Sequence, residues 1–329
     1  MFVGEQEVKE VSQEVGGTEG MNDANPRLEA LHHGAPSANV KAFGYGGEAE
    51  APRMKFGVML GNYPDIPRIR EFVTAAEALG FDAFFLSDHY AVEDRNDLVE
   101  IWTVLPYLAA RTERIRLGTN VTPITFRPPG MLAKMVATAD LLSGGRIILG
   151  VGAGWFRREF DMYSRWYAHR ERVNQFREAL QVLTQLWTQD KVTYAGHFYQ
   201  LKDMVLEPKP LQKPHPPIWF GCHGRRMLRY AGTYGDGWVP LGPRSGDFIK
   251  KPEDYLWGAN LIKDARLKAG AKREFTWACR FGVAESPRTY WKEIEEFKQV
   301  GLNYYVLGVR EGYGVEALKT FADTVFPSL

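Results

Sequence analysis

The chain has 329 residues, of which 45% are hydrophobic and 25% are charged, and its formal net charge is +1. This composition is ordinary for a globular protein, and the near-neutral charge excludes a global field that would attract nucleic acid or an anionic membrane. The only cysteines, Cys222 and Cys279, are too far apart for a disulfide framework or a CxxC metal site. No apolar stretch is long enough to span a bilayer, and the N-terminus lacks the pattern of a signal peptide, so we expect a cytoplasmic protein.

The first 53 residues differ in composition from the rest of the chain. They contain nine Asp and Glu against four Lys and Arg, they are poor in large apolar side chains, and they show no sustained period. A segment of this kind buries too little surface to offset the entropy lost when it becomes ordered. The sequence therefore predicts a disordered extension over residues 1–53 and a folded domain over residues 54–329.

From Lys55 onward, short apolar runs alternate with longer stretches of helical period. The first run, KFGVML (55–60), predicts a strand, and residues 66–80 place their apolar side chains on one helical face and end at a glycine. The further predicted strands are 83–86, 115–121, 146–152, 216–221, 237–241, 275–284 and 303–309. The further predicted helices are 98–113, 130–145, 225–235, 252–269, 287–301 and 315–326.

The alternation is interrupted once, after the fourth strand. A predicted helix over 168–188 leads into residues 191–210, which alternate like a β-hairpin and end in a proline-rich connector. Eight β–α units in the 276 residues after the extension predict an α/β fold, a single (β/α)8 TIM barrel with this helix and hairpin as an insertion. A doubly wound parallel sheet is the structural alternative.

The residues that follow each strand are of most interest, because a (β/α)8 barrel forms its active site at the C-terminal ends of its strands. The second strand ends in AFFLSDHY (83–90), in which Ser87, Asp88, His89 and Tyr90 follow four apolar residues. These side chains either cap the strand in water or lie at the barrel mouth. The barrel prediction favours the mouth.

Two glycine-containing strand ends are candidates for binding a flat ligand or its phosphate. GVGAGW (150–155) resembles a dinucleotide fingerprint, but Trp155 stands where a glycine is required, so we do not expect a Rossmann site. GCHGRR (221–226) opens a predicted helix whose free N–H groups favour an anion, and Arg225 adds positive charge. The alternative there is a solvent-facing turn. No pair of histidines has metal-ligand spacing, so we expect no metal site.

The chain from Met54 onward resembles the bacterial-luciferase-like superfamily of flavin and deazaflavin oxidoreductases. The resemblance is carried, in this order, by KFGVML, FFLSDHY, ARTERIRLGTNVTPITFRPP, LLSGGRIILGVGAGWFRREF, LTQLWT, PPIWFGCHGRRMLRYAGTYGDGW and LKTFADTVFP. It implies a (β/α)8 barrel with a coenzyme ring across its mouth and a cis peptide at Asn120–Val121 that supports the middle of the ring. It also implies that the coenzyme phosphate contacts Gly152, Ala153, Gly154, Gly221, Cys222, His223 and Gly224, beside Arg225.

The Ser-Asp-His sequence after the second strand is similar to the branch that uses the deazaflavin coenzyme F420. By that resemblance His89 is the catalytic base that takes a hydroxyl proton, and Asp88 is a catalytic group that orients and contacts the ring. Trp155 departs from the F420-dependent sugar-phosphate enzymes, which have a catalytic Glu there. The residues expected at a more aromatic substrate pocket, or alternatively packed at the barrel rim, are Asn62, Tyr63, Tyr90, Trp155 and Trp238.

Three functions are compatible with these features. The leading one is an F420-dependent oxidoreductase that transfers a hydride between the deazaflavin and an alcohol, a sugar or an activated double bond. The second is an FMN-dependent monooxygenase supplied with reduced flavin by a separate reductase, and the third is a non-catalytic flavin-binding barrel. The resemblance also implies a homodimer with a small-molecule substrate, and neither nucleic acid nor a membrane is expected as a partner.

Overall fold

The computed structural model describes residues 53–61 and 65–328. Its strands are β1 (Lys55–Leu60), β2 (Ala83–Leu86), β3 (Arg116–Thr119), β4 (Thr122–Pro123), β5 (Ile147–Gly152), β6 (Val192–Ala195), β7 (Gln200–Met204), β8 (Ile218–Phe220), β9 (Gly237–Trp238), β10 (Thr276–Gly282) and β11 (Tyr304–Val309). Its helices are α1 (Ile66–Leu79), α2 (Ile101–Ala109), α3 (Pro129–Leu142), α4 (Arg157–Tyr163), α5 (His169–Thr188), α6 (Arg225–Tyr234), α7 (Pro252–Lys268), α8 (Pro287–Gln299) and α9 (Glu316–Val325).

Eight parallel strands close into a barrel. They pair in the order β3-β2-β1-β11-β10-β9-β8-β5-β4, and β3 also pairs with β5, so the ring closes. The third barrel strand consists of β3 and β4 together, since both pair with β5. The predicted (β/α)8 barrel is confirmed, and an open doubly wound sheet is excluded. The antiparallel hairpin β6–β7 pairs separately from this ring, and with α5 it forms the predicted insertion.

The side chains of the barrel strands alternate between two hydrophobic layers. The inner cluster comprises Met59, Ala83, Phe85, Ile148, Trp219, Val239, Ala278, Tyr304 and Val306. Strand neighbours of these residues, such as Val58 and Phe84, belong to the larger core between the strands and the helices. Because the inner cluster fills the barrel, polar side chains at the C-terminal strand ends lie above it, at the mouth.

Several elements differ from the sequence prediction. Helix α2 begins at Ile101 rather than at residue 98, because the Glu100 carboxylate caps it by accepting from the backbone amides of Trp102 and Thr103. The predicted third strand, 115–121, is split into β3 and β4, and the predicted strand 237–241 is reduced to the two residues of β9. Helix α4 was not predicted, since its seven residues are too few to show a helical period.

Some predictions lie outside the described residues. These are the N-terminal extension up to residue 52 and the two proposed pocket residues Asn62 and Tyr63. Within the described part of the chain, no helix combines the length and the apolar composition that crossing a membrane requires.

Candidate active site

Asp88 is completely buried at the end of β2, where Arg127 binds both of its carboxylate oxygens. Nη1 and Nη2 of Arg127 donate to Oδ2 and Oδ1 over 2.8 and 2.9 Å, and Nη2 also donates to Glu100. Burial alone would lower the pKa of Arg127, but the neighbouring carboxylates raise it above its usual value, so the guanidinium stays charged. Arg127 therefore occupies both oxygens of a carboxylate that has no exposed surface, and the contact of Asp88 with a coenzyme ring stays a prediction.

The His89 imidazole is held by Glu159, a carboxylate that the sequence prediction missed. Glu159 is completely buried in α4, and its Oε1 and Oε2 lie 3.0 and 3.1 Å from Nδ1 of His89. The same carboxylate accepts a hydrogen bond from the backbone amide of Tyr90. A carboxylate at Nδ1 favours the tautomer that is protonated there, which leaves Nε2 free to accept a proton. The His89 side chain is 14% exposed, so a ligand at the mouth can reach it.

Aromatic side chains surround the His89–Glu159 pair. The Trp155 ring meets the His89 ring edge-on at a centroid distance of 5.8 Å, and Trp155 is 64% exposed. Tyr90 stacks on Phe126 and contacts Tyr163, with the Arg127 guanidinium 5.0 Å from its ring centroid. Burial raises the pKa of the Tyr90 hydroxyl, so this ring is neutral. Trp155 is therefore an exposed ring in contact with His89, whereas Tyr90 is packed into the rim.

The Asn120–Val121 peptide bond is cis, at the break between β3 and β4. Three glycines make room for this bulge. A Cβ atom at Gly152 or Gly221 would lie 2.7 Å from a methyl carbon of Val121, and one at Gly150 would lie 1.9 Å from the carbonyl oxygen of Thr119. The glycines of these strands are thus required by packing against the bulge, in addition to any ligand contact.

The N-terminus of α6 retains the features predicted for a phosphate site. Gly224 is exposed and caps the helix without a side-chain hydrogen bond, and a Cβ atom there would meet nothing within 4 Å. The guanidinium of Arg225 lies 5.2 Å from the ring centroid of Trp257. The first amides of α6 therefore have no side-chain cap and can bind an anion.

Cys222 and His223, on the same strand end, face different surroundings. The Cys222 side chain is buried in the core between strands and helices, and this burial raises the pKa of its thiol. The His223 ring stacks on Phe248 at a centroid distance of 4.0 Å. Burial, with a smaller effect of the Arg280 charge, lowers the pKa of His223 to about 4, so the imidazole is neutral at pH 7.

For two predicted site residues, Trp238 and Gly154, packing within the protein explains why that residue type is present. Trp238 is 1% exposed, stacks on Tyr255 of α7 and donates from Nε1 to the carbonyl oxygen of Cys222, so it belongs to the barrel wall rather than to a substrate pocket. Gly154 has φ +78°, and a Cβ atom there would lie 2.3 Å from the Phe160 ring. A bulky residue at position 154 would therefore disturb the packing of α4 and cannot test phosphate binding cleanly.

A cavity of about 460 Å³ lies at the opposite end of the barrel. It is bordered by residues at the N-terminal strand ends, including Lys55, Asp82, Arg116 and Tyr304. We place the active site at the other end, because the histidine–carboxylate pair, the cis bulge and the α6 N-terminus all lie at C-terminal strand ends. Among the described residues, no three potential metal-ligating side chains of His, Cys, Asp or Glu form a cluster that could hold a metal ion.

Comparison with known sequences finds flavin-dependent and F420-dependent relatives. A family model described as luciferase-like monooxygenase matches residues 51–320. An F420-dependent glucose-6-phosphate dehydrogenase of Microbacterium testaceum (strain StLB037) is 37% identical over 208 residues, covering 62% of this chain and 60% of that protein. An FMNH(2)-dependent dimethylsulfone monooxygenase of Pseudomonas putida is 33% identical over 213 residues, covering 63% of this chain and 54% of that protein. The chain thus spans about half to three fifths of the curated relatives it matches.

Comparison with solved structures finds the same fold. The structure of an F420-dependent secondary alcohol dehydrogenase in complex with an F420-acetone adduct matches with a TM-score of 0.74. The match covers 83% of this chain and 98% of that one at 20% sequence identity. At 20% sequence identity, this structural similarity establishes the fold alone.

Proposed function

The chain belongs to the luciferase-like monooxygenase family, and we propose that within this family it is an F420-dependent oxidoreductase. The observation that carries the proposal is the buried Glu159 carboxylate at Nδ1 of His89, which leaves Nε2 as a proton acceptor at the barrel mouth. Oxidation of an alcohol requires such a base, because a hydroxyl proton must leave while a hydride departs from the carbon. Relatives described as F420-dependent support the same conclusion.

The residues present fit a deazaflavin coenzyme. The bulge at Asn120–Val121 offers a backbone support at the mouth, and the uncapped N-terminus of α6 offers amides for its phosphate. Gly224 leaves open space there, since a side chain at this position would meet no neighbour within 4 Å. When bound, F420 supplies the ring carbon that accepts the hydride.

The chain itself handles the proton and positions the substrate. Nε2 of His89 takes the hydroxyl proton, and the Glu159 carboxylate stabilises the imidazolium that results. Asp88 is a positioning residue in this scheme, because its ion pair with Arg127 fixes the strand end that carries His89. The exposed Trp155 ring beside His89 favours a substrate with an apolar part.

An FMN-dependent monooxygenase is the second candidate, and the relative from Pseudomonas putida is the observation that favours it. A monooxygenase of this kind uses reduced flavin and oxygen, and it does not require His89 to take a hydroxyl proton. A barrel that binds flavin without turnover is the third candidate.

A coenzyme titration separates these candidates. Oxidised F420 and FMN are added separately to the purified protein, and binding is followed by fluorescence. We expect F420 to bind at least about tenfold more tightly than FMN, a difference of about 1.4 kcal/mol. Tighter binding of FMN, with oxygen uptake that depends on reduced FMN, would contradict the proposal. Binding without turnover on alcohols, sugars and enones would favour the third candidate.

A further inference from the structure

The cavity of about 460 Å³ at the N-terminal strand ends lies away from the candidate active site. Its inner end is formed by Ile148, Trp219 and Tyr304, three members of the inner cluster. Because this cluster fills the barrel between the cavity and the mouth, a molecule in the cavity does not reach His89. The volume lies within the range of about 300–1,000 Å³ that is typical of sites for small organic ligands.

Arg116, the first residue of β3, brings a half-buried positive charge to this cavity. Its Nη2 atom donates to the carbonyl oxygen of Ile147 over 3.2 Å and to Oε1 of Gln212 over 2.9 Å. Among the residues that the structure describes, Nε and Nη1 have no acceptor, and no carboxylate lies within ion-pair distance. Burial lowers the pKa of Arg116, but an arginine stays charged at pH 7. A partly buried charge of this kind gains from a bound anion.

Tyr304 adds a hydroxyl group at the inner end of the same cavity. The residue is 4% exposed, and its buried hydroxyl oxygen has no hydrogen-bond partner within the described part of the chain. Burial raises the pKa of this hydroxyl well above its usual value, with a smaller opposing effect of the Arg116 charge, so the group keeps its proton. A buried donor without an acceptor is unfavourable, and an acceptor supplied by a ligand would satisfy it.

The charged side chains around the cavity favour a ligand with a negative charge. Arginines and lysines outnumber carboxylates there, four to three. Two of the carboxylates already accept from the backbone, since Glu77 binds the amides of residues 113–115 and Asp82 binds the amide of Phe56. These two carboxylates thus stabilise the adjoining loop and strand, and neither pairs with Arg116.

We propose that this N-terminal cavity is a second ligand site, which binds a small organic carboxylate. The carboxylate oxygens accept from the free N–H groups of Arg116 and from the Tyr304 hydroxyl, and the apolar part of the ligand lies against Ile148 and Trp219. All four residues are among the first two of their strands, so this ligand is neither the substrate nor the coenzyme at the mouth. The inference goes beyond the proposed function and does not depend on which coenzyme the mouth binds.

Phenylpropionate is the probe, because it joins a carboxylate to an apolar ring. It is titrated calorimetrically into the intact protein, and acetate and the neutral amide phenylpropionamide are titrated in the same way. We expect phenylpropionate to bind at one site with a Kd of about 1 mM or below. Acetate, which lacks the ring, and phenylpropionamide, which lacks the charge, should each bind at least about tenfold more weakly.

Two substitutions test the anchoring groups. Arg116→Met should lower phenylpropionate affinity by about 10- to 100-fold and should abolish the preference for the carboxylate over the amide, because the charge that distinguishes them is gone. Tyr304→Phe removes a single oxygen atom and should lower the affinity by about 3- to 10-fold. It should not lower the Tm of the free protein, since the hydroxyl has no hydrogen bond to lose.

Each substitution has a matched control. Tyr305→Phe changes the neighbouring residue, whose hydroxyl donates to Glu293, so it should lower the Tm and leave phenylpropionate affinity unchanged. Arg288→Met removes an exposed arginine at the start of α8 and should also leave the affinity unchanged.

Three results would overturn the proposal. The first is no saturable binding of phenylpropionate to the intact protein, and the second is equal affinity for acetate. The third is affinity that is kept in both Arg116→Met and Tyr304→Phe but lost in Trp155→Ala, which would place the ligand at the mouth. A protein that binds phenylpropionate as expected but binds no F420 would contradict the proposed function alone.

Discussion

The proposed chemistry depends on a contact between two residues that are 70 positions apart, His89 and Glu159. Glu159→Gln keeps an oxygen near Nδ1 but removes the negative charge that stabilises a protonated imidazole. We expect kcat to fall by about 10- to 100-fold, with F420 affinity unchanged. His89→Ala should lower turnover by about 10²- to 10⁴-fold, the usual contribution of a general base. Both are measured by steady-state kinetics on any alcohol, sugar or enone that the protein converts.

A variant that carries both His89→Ala and Glu159→Gln separates a positioning role of Glu159 from a simple loss of protein stability. If Glu159 acts through His89, then Glu159→Gln should cause no further loss of kcat when His89→Ala is already present. Additive losses, or a large fall in F420 affinity, would mean that Glu159 serves the fold instead. Thermal unfolding of each variant provides the control for stability.

At the scale of single residues, the sequence predicted Asp88 and His89 at the end of β2 better than it predicted Arg127 and Glu159, the side chains that bind them. Asp88 and His89 were recognisable because polar residues end an apolar strand. Glu159 and Arg127 gave no local signal, since each meets its partner only after α4 and the segment after β4 are folded onto the mouth. Trp238 was misplaced because a strand end does not reveal which face of the strand a residue occupies.

At the scale of elements, the third barrel strand and its glycine neighbours form one packing unit. Gly221→Ala would place a Cβ atom 2.7 Å from Cγ1 of Val121, so we expect a loss of about 1–3 kcal/mol from overpacking, measured by urea unfolding. Gly224→Ser is the matched control, because Gly224 has φ −71° and open surroundings, and its unfolding free energy should change by less than about 0.5 kcal/mol.

A second substitution tests the cause of that loss. Val121→Ala removes the methyl carbons that a Cβ atom at position 221 would meet, so it should restore part of the stability lost in Gly221→Ala. Strictly additive losses in the double variant would show that the glycine serves another purpose. The sequence predicted the bounds of most helices and strands to within a few residues. It did not predict the close packing of Gly221 against Val121. A glycine pattern by itself does not distinguish a ligand contact from close packing of two strands.

At the scale of the molecule, closure of the barrel defines what must be present for folding. Strand β1 pairs with β2 on one side and β11 on the other, and the core begins with Met54, which is 5% exposed. The sequence predicted this closure because eight apolar strands alternate with amphipathic helices. It did not predict the cavity at the N-terminal strand ends, since that cavity depends on how residues from distant strands meet.

A chain that begins at Met54 tests the predicted domain boundary. We expect it to unfold cooperatively with a Tm within about 2 °C of the full chain, because the barrel strands and their core all follow residue 53. Its F420 affinity should also match, since the proposed coenzyme site is at the end of the barrel opposite Lys55. A chain that begins at Gly61 is the control and should fail to fold, because it lacks β1 and leaves β2 and β11 without their shared neighbour. A large loss of stability or F420 affinity in the first chain would place part of residues 1–53 within the functional domain.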